Sequence, residues 1–312
     1  MPTAAVGLLF VLGATIASPG CVIVRDLDSA QDVKIEAHGA NAVRVRVVAS
    51  GGKFLDDPDV VSALTPLPTR GTTDTLATPA AAPADDCTTV DLETAGSSVI
   101  NGNLKAAVGS DGKLTFTRVS DSKMLLTEKK VRTLAPTTTV PPIPGFFSLE
   151  LSFEAMEGER IYGLGQHAAF SWDPNFPVQL DQKGVPAMML EPHDGDITIP
   201  VAHSSVGYVF LSNLPSTGSV EYNSTGAFWR HDAVLQVDMW VATTSDSPPH
   251  TVSPWRQLQS AYADATGHAP VYPNWASGFW QCKLRYANQS QVLDVVNGYI
   301  DRKIPISLII IE

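Results

Sequence analysis

The chain has only three cysteines among its 312 residues, Cys21, Cys87 and Cys282. They are too few and too scattered for a disulfide scaffold or a CxxC metal site. Two arrangements stay open: Cys21 paired with Cys87 and Cys282 placed in a core strand, or three buried free thiols. Basic charge is also scarce, with 21 Lys and Arg against 32 Asp and Glu and a formal charge of −11. Nucleic acid and anionic membrane surfaces are therefore disfavoured as partners, because Lys and Arg drive phosphate binding. No apolar run approaches the ~20 residues of a membrane-spanning helix, so no stable span is expected. GxSxG, HExxH, Walker A and a GxGxxG after a strand are all missing, which removes the self-contained signatures of serine hydrolases, zinc proteases and nucleotide binders. Gly163-Leu164-Gly165 lacks the third glycine and the following helix. The seven His are dispersed, and His193, His203 and His231 show no HxH spacing. They read as structural residues rather than as ligands of a cupin-like metal barrel, and no metal or cofactor is expected.

What is present points to β structure. Hydrophobic residues make up 44% and charged residues 17%, with 23 Gly and 23 Pro. That balance suits a soluble protein of many strands and turns. The run Ala4 to Ala17 has the size of a signal-peptide core, so residues 1–17 read as a signal peptide and the route as secreted or lumenal. A buried first strand in a cytoplasmic protein is the alternative. The sequons at Asn223 and Asn288 are compatible with glycosylation on the lumenal route.

From 22 to about 250 the pattern predicts a large β-sandwich. Val33, Ile35 and Ala37 alternate with Lys34 and Glu36, and Val43, Val45 and Val47 with Arg44 and Arg46, as in a half-buried hairpin. Residues 56–86, rich in Pro, Thr and Ala without periodicity, read as a disordered surface insertion. Strands resume at Ser98, and a second Thr/Pro tract runs from Pro136 to Pro144. The segment 251–274 reads as a helix with Pro254 in its first turn followed by an extended connection.

The last part, 275–312, reads differently. GFWQCKLRY is a strand. Asn288 and Gln291 stand at capping-box spacing, Val292, Val295, Val296 and Tyr299 share a helical face, and Ile306 to Ile311 form a β-branched run suited to a parallel strand buried on both faces. This is one βαβ unit, which alone cannot bury such a strand, so it is expected to open a truncated (β/α)8 barrel. In such barrels chemistry collects at the carboxyl ends of strands.

All six Trp follow residue 171. Most of them suit inter-domain packing, whereas Trp280, on the first barrel strand, is a candidate to stack on sugar. The segments ERIYGLGQH (159–167), LDQKG (180–184), IPVAHSSVGYVFLSN (199–213), VDMWV (237–241) and GHAPVYPNWASGFWQCKLRY (267–286) together resemble the N-terminal part of glycoside hydrolase family 31, nearer its α-xylosidase-like branch than its α-glucosidase one.

The resemblance implies a mainly β chain: a galactose-mutarotase-like β-sandwich followed by the first βαβ unit of the barrel. It also implies a retaining mechanism with an Asp nucleophile and an Asp acid/base about 5 Å apart. Both are expected beyond the chain end, so the chain alone is expected to be inactive. The resemblance places Trp280, Lys283, Arg285 and Glu312 as substrate-binding candidates. Glu312 stands where the family has Asp, a difference read here as a gene-model artefact. Asp181 and Lys183, with Gln166 and His167, lie in sandwich loops that approach the barrel mouth in the family, and structural roles are favoured for them. The expected partner is a carbohydrate, an α-linked xyloside or glucoside. The competing reading is a non-catalytic carbohydrate-binding β-sandwich.

Overall fold

The computed structural model describes residues 20–55, 64, 87–92, 98–137, 144–166, 181–185, 187–191, 197–245 and 252–311. The signal-peptide segment, nearly all of the 56–86 insertion, His167, Trp172, His193 and Glu312 lie outside them.

The described strands begin with β1 (Cys21–Asp26), β2 (Gln31–Ala37), β3 (Ala42–Ala49) and β4 (Thr88–Asp91). Next come β5 (Ser98–Asn101), β6 (Leu104–Val108), β7 (Leu114–Arg118), β8 (Lys123–Thr127), β9 (Thr133–Pro136) and β10 (Phe147–Glu154). They are followed by β11 (Ile161–Gln166), β12 (Met188–Met189), β13 (Ile197–Ser204), β14 (Tyr208–Ser212), β15 (Gly218–Asn223), β16 (Gly226–Val234) and β17 (Val237–Thr243). Helix α1 (Pro254–Thr266), a 3-10 turn at Asn274–Ser277, β18 (Trp280–Cys282), α2 (Gln289–Asp301) and β19 (Leu308–Ile310) complete the order. The chain divides into two units after Gly267.

In the first unit one layer is an eight-stranded sheet in the order β11-β13-β14-β17-β3-β2-β1-β4. The other layer combines a five-stranded sheet, β12-β15-β16-β10-β9, with a four-stranded sheet, β5-β6-β7-β8. An antiparallel bridge between Glu128 and Phe153 joins these two sheets. Alternating apolar side chains of both layers meet in one core, as expected for a sandwich. Phe210 on β14 packs edge-on against Phe153 on β10 at 5.5 Å and tilts onto Trp229 on β16 at 5.1 Å, tying the layers together.

The hairpin of β2 and β3 has the expected register, with Val33 opposite Val47 and Ile35 opposite Val45. It is not half-buried. Lys34 and Arg46, which alternation places toward solvent, are 3% and 1% exposed. The outer face is covered because Phe54 lies over both cations and Arg46 donates to the Leu55 carbonyl and to Glu36. Beside it, α1 also packs on the outer face of this sheet. Pro254 opens the helix, the Ser253 hydroxyl accepts from the Arg256 N–H, and Leu258 and Ala265 join Val209, Leu211, Trp240 and Ala242 in a second apolar cluster.

Cys21 and Cys87 form a disulfide, and Cys282 stands outside it, exposed rather than buried in a core. The bond clips the start of β1 to the residue before β4, which lies parallel to β1.

The second unit is a βαβ unit. β18 and β19 pair in parallel, Trp280 with Leu308 and Cys282 with Ile310, and α2 is the crossover between them. The Asn288 carboxamide caps α2 by accepting from the Gln291 N–H at 3.0 Å, while Gln291 reaches back to the Ala287 N–H. The predicted face of Val292, Val295, Val296 and Tyr299 is the half-buried one. The Ile run is shorter and more open than expected, since β19 is half-buried and Ile311 is 67% exposed. Among the described residues only β18 pairs with β19. No described residue of this unit is buried.

Candidate functional site

The direction of β18 decides what each of its residues can do. The strand runs from Trp280 to Cys282, so Trp280 stands at its amino end while Lys283 and Arg285 follow its carboxyl end. Gln281 accepts a short hydrogen bond from the Tyr299 hydroxyl of α2 and therefore faces the crossover helix. By strand alternation Trp280 and Cys282 face the opposite side. Trp280 does not project freely. Its indole lies over that of Trp275 in the preceding 3-10 turn, with centroids 6.2 Å and planes 22° apart, and its Nε1–H donates to the Ala276 carbonyl at 3.1 Å. The turn comes close to the start of β19, where the Ser307 N–H donates to the Phe279 carbonyl. A Cβ on Gly278 would stand 1.8 Å from Ser307 Oγ, so this approach requires glycine.

Beyond the strand, Lys283 Nζ lies 5.6 Å from the centroid of the Tyr286 ring, and Lys283 and Arg285 are exposed. The Tyr286 hydroxyl is buried without a hydrogen-bond partner. The structure therefore brings Lys283 and Tyr286 together after the carboxyl end of β18 and separates them from Trp280. Glu312 lies outside the described residues. Trp275, Gln281 and Tyr286 were not singled out from the sequence. The GFWQCKLRY strand and the capping pair located the unit, but ring stacking and hydroxyl burial have no local sequence signal.

The sandwich candidates serve the fold. Asp181 accepts from the backbone N–H groups of Ile161 and Lys183, and Lys183 Nζ donates to the Met156 carbonyl at 2.7 Å. Gly163, Leu164 and Gly165 all have positive φ and form a bulge where β11 pairs with β13. A Cβ at Gly165 would meet the Ile197 carbonyl at 1.9 Å, so these glycines allow close strand approach. Asn223 turns the β15–β16 hairpin, accepting from the Thr225 N–H and hydroxyl and donating to Glu221. Asn288 is the cap of α2.

Burial lowers the pKa of both described candidate histidines. His231, engaged with the Ser212 hydroxyl through Nε2 at 2.9 Å, is pushed down to about 4. Among the described residues no group of three His, Cys, Asp or Glu side chains could hold a metal, and no helix is long and apolar enough to cross a membrane.

Residues 269–312, which contain this βαβ unit, match the family model described as the glycosyl hydrolases family 31 TIM-barrel domain. Across 305 residues, 90% of the chain and 50% of the relative, the sequence is 30% identical to an uncharacterized family 31 glucosidase ORF2 from Pseudescherichia vulneris. The chain is similar to glycoside hydrolase family 31 proteins, and its last 44 residues carry the match to that family's barrel domain. A second likeness is to an α-xylosidase of Saccharolobus solfataricus, 35% identical over 53% of the chain and 22% of that protein. A solved family 31 α-xylosidase from a soil metagenome, complexed with xylose, superposes with a TM-score of 0.69 at 28% identity over 94% of the chain and 40% of that protein. The chain thus spans half or less of the length of these relatives. Its architecture is the family's β-sandwich followed by the first βαβ unit of the barrel.

Proposed function

We propose that the chain is a portion of a retaining α-glycosidase that hydrolyses α-xylosides or α-glucosides. The observation that carries this reading is the conjunction of a sandwich with a βαβ unit whose sequence matches the family's barrel. The α-xylosidase names among the relatives favour xylosides. The chain supplies the sandwich and the opening of the barrel, while the nucleophile and acid/base carboxylates belong to later barrel strands that it does not include. A (β/α)8 barrel needs about 250 residues, against the 44 that match here. The chain alone is therefore inactive.

Within the site, Lys283 and Arg285 follow the carboxyl end of β18, the side where barrel chemistry collects, and Glu312 follows β19 in sequence. These three are assigned to substrate hydroxyls. Trp280, a sugar-stacking candidate on sequence grounds, lies at the opposite end of its strand and is assigned with Trp275 to the barrel floor. The Cys21–Cys87 disulfide supports an oxidising, secreted or lumenal route, on which Asn223 and Asn288 would be glycan acceptors.

The test is hydrolysis of aryl α-xylosides and α-glucosides. The intact protein, including the rest of the barrel, is expected to turn over with retention of anomeric configuration, and the 312-residue chain is expected to show none. Turnover by the 312-residue chain, or inversion by the intact protein, would refute the reading.

A further inference from the structure

A cleft of about 340 Å³, open on one side, lies at the sandwich edge between β12, β13, β16 and the loop after β14. Its volume is at the small end of the roughly 300–1,000 Å³ typical of ligand pockets, enough for one ring rather than an oligosaccharide. Leu190, Pro200, Leu214 and Pro215 provide the apolar wall. Glu191, Thr198, Ser216, Thr217 and His231 provide the polar one. Among the described residues that line the cleft there is no Lys or Arg to offer an anionic ligand a counter-charge.

The polar wall is rich in acceptors because its hydroxyl protons are already used. Thr198 donates to the Glu191 carbonyl, Ser216 to the Thr217 carbonyl, and Thr217 to Asp232. Each hydroxyl oxygen keeps lone-pair capacity, and the Glu191 carboxylate adds more. His231 is 2% exposed. Its Nε2 is engaged by Ser212, and its buried Nδ1 faces the Ser216 backbone, so the ring anchors the cleft wall rather than offering a free nitrogen to it. The matching ligand is neutral, carries several O–H donors and has an apolar C–H face.

We propose that this cleft binds a single sugar ring, whose hydroxyls donate to Glu191, Thr198 and Thr217 and whose C–H face rests on Leu190 and Leu214. The choice of a sugar among neutral polyols rests on the glycosidase reading above.

The experiment is a titration of the isotopically labelled 312-residue chain with D-xylose and D-glucose, followed by amide chemical shifts. Saturable shifts are expected at Leu190, Glu191, Thr198, Ser216 and Thr217. Half-saturation should be on the order of 10 mM, because the cleft is open and its described lining holds no aromatic platform. Leu214→Trp, which fills the cleft, should abolish the shifts, and Glu191→Gln should weaken binding about three- to tenfold. If Leu214→Trp does not fold, the half-buried Glu191→Gln still reports on the site. Absence of saturable shifts, shifts confined to residues 268–311, unchanged binding in both variants, or a response to ethylammonium but not to sugars would overturn the proposal. Hydrolysis is a separate measurement. An intact protein that cleaves no glycoside while this cleft binds xylose would refute the activity alone, and hydrolysis without binding here would refute the cleft alone.

Discussion

The indole of Trp280 stacks on that of Trp275, with centroids 6.2 Å apart, and donates its N–H to the backbone of the same 3-10 turn. An indole with one face and its only donor engaged at the amino end of a strand is placed to hold the strand. In the intact enzyme, Trp280→Ala should cost about 1–3 kcal/mol of stability, less than a fully buried aromatic would, and leave KM for an aryl α-xyloside within about twofold. Lys283→Met and Arg285→Met should do the reverse, raising KM while changing stability by no more than about 0.5 kcal/mol. Thermal melts with steady-state kinetics on the three variants separate the roles. A KM effect confined to Trp280→Ala would return the sugar contact to Trp280.

The Cys21–Cys87 bond spans 66 residues of sequence. Closing a loop of that length restricts the unfolded chain, and removing the bond should cost about 4 kcal/mol. Urea denaturation of the wild type with and without reductant, beside Cys87→Ser, measures it. Unchanged midpoints on reduction would show that the bond contributes no net stability.

His231 should make the sandwich acid-sensitive. Burial depresses its pKa from 6.5 to about 4, so between those values the unfolded chain holds a proton that the folded chain excludes. Its contribution is fully present above pH ~6.5 and is lost as pH falls toward 4, amounting to about 3 kcal/mol at 1.36 kcal/mol per unit. Comparing wild type and His231→Asn by urea denaturation at several pH values isolates this slope, which should flatten in the variant.

Arg132 and Glu128 form a 2.7 Å ion pair with neither side chain exposed. Glu128 also accepts from the Leu114 N–H, and Arg132 donates to Gln31 and to the Gly112 carbonyl. Burial raises the Glu128 pKa although the Arg132 charge pulls it down, so the pair is sustained by its geometry. Glu128→Ala leaves a buried guanidinium without its counter-charge and should cost about 3–5 kcal/mol, whereas Glu128→Met combined with Arg132→Met should cost less than either single change. Chemical denaturation of the singles and the double checks this non-additivity.

Much of the second unit was legible because its signals are local. Asn288 and Gln291 specify a cap, and the spacing of Val292, Val295, Val296 and Tyr299 a helix face, just as Pro254 marks a helix start in the first unit. The reading was weaker wherever a distant segment supplies the neighbour. Alternation in β2 and β3 identified the apolar face, but Phe54 and the Leu55 carbonyl cover Lys34 and Arg46 on the other. The double glycine of YGLGQ was recognised as no nucleotide loop. Its role as a β11–β13 bulge emerged only with its strand partner in place.

By itself the sequence determined the order of the elements, strands first and a βαβ unit last, because side-chain periodicity, caps and turns act over a few residues. It also determined the family likeness, through several motifs in fixed order. Only the tertiary structure decided that Cys21 meets Cys87, that His231 lines a cleft, and that Trp280 and Lys283, three positions apart, serve opposite ends of one strand. Those outcomes depend on chain direction and on which distant surfaces are brought into contact.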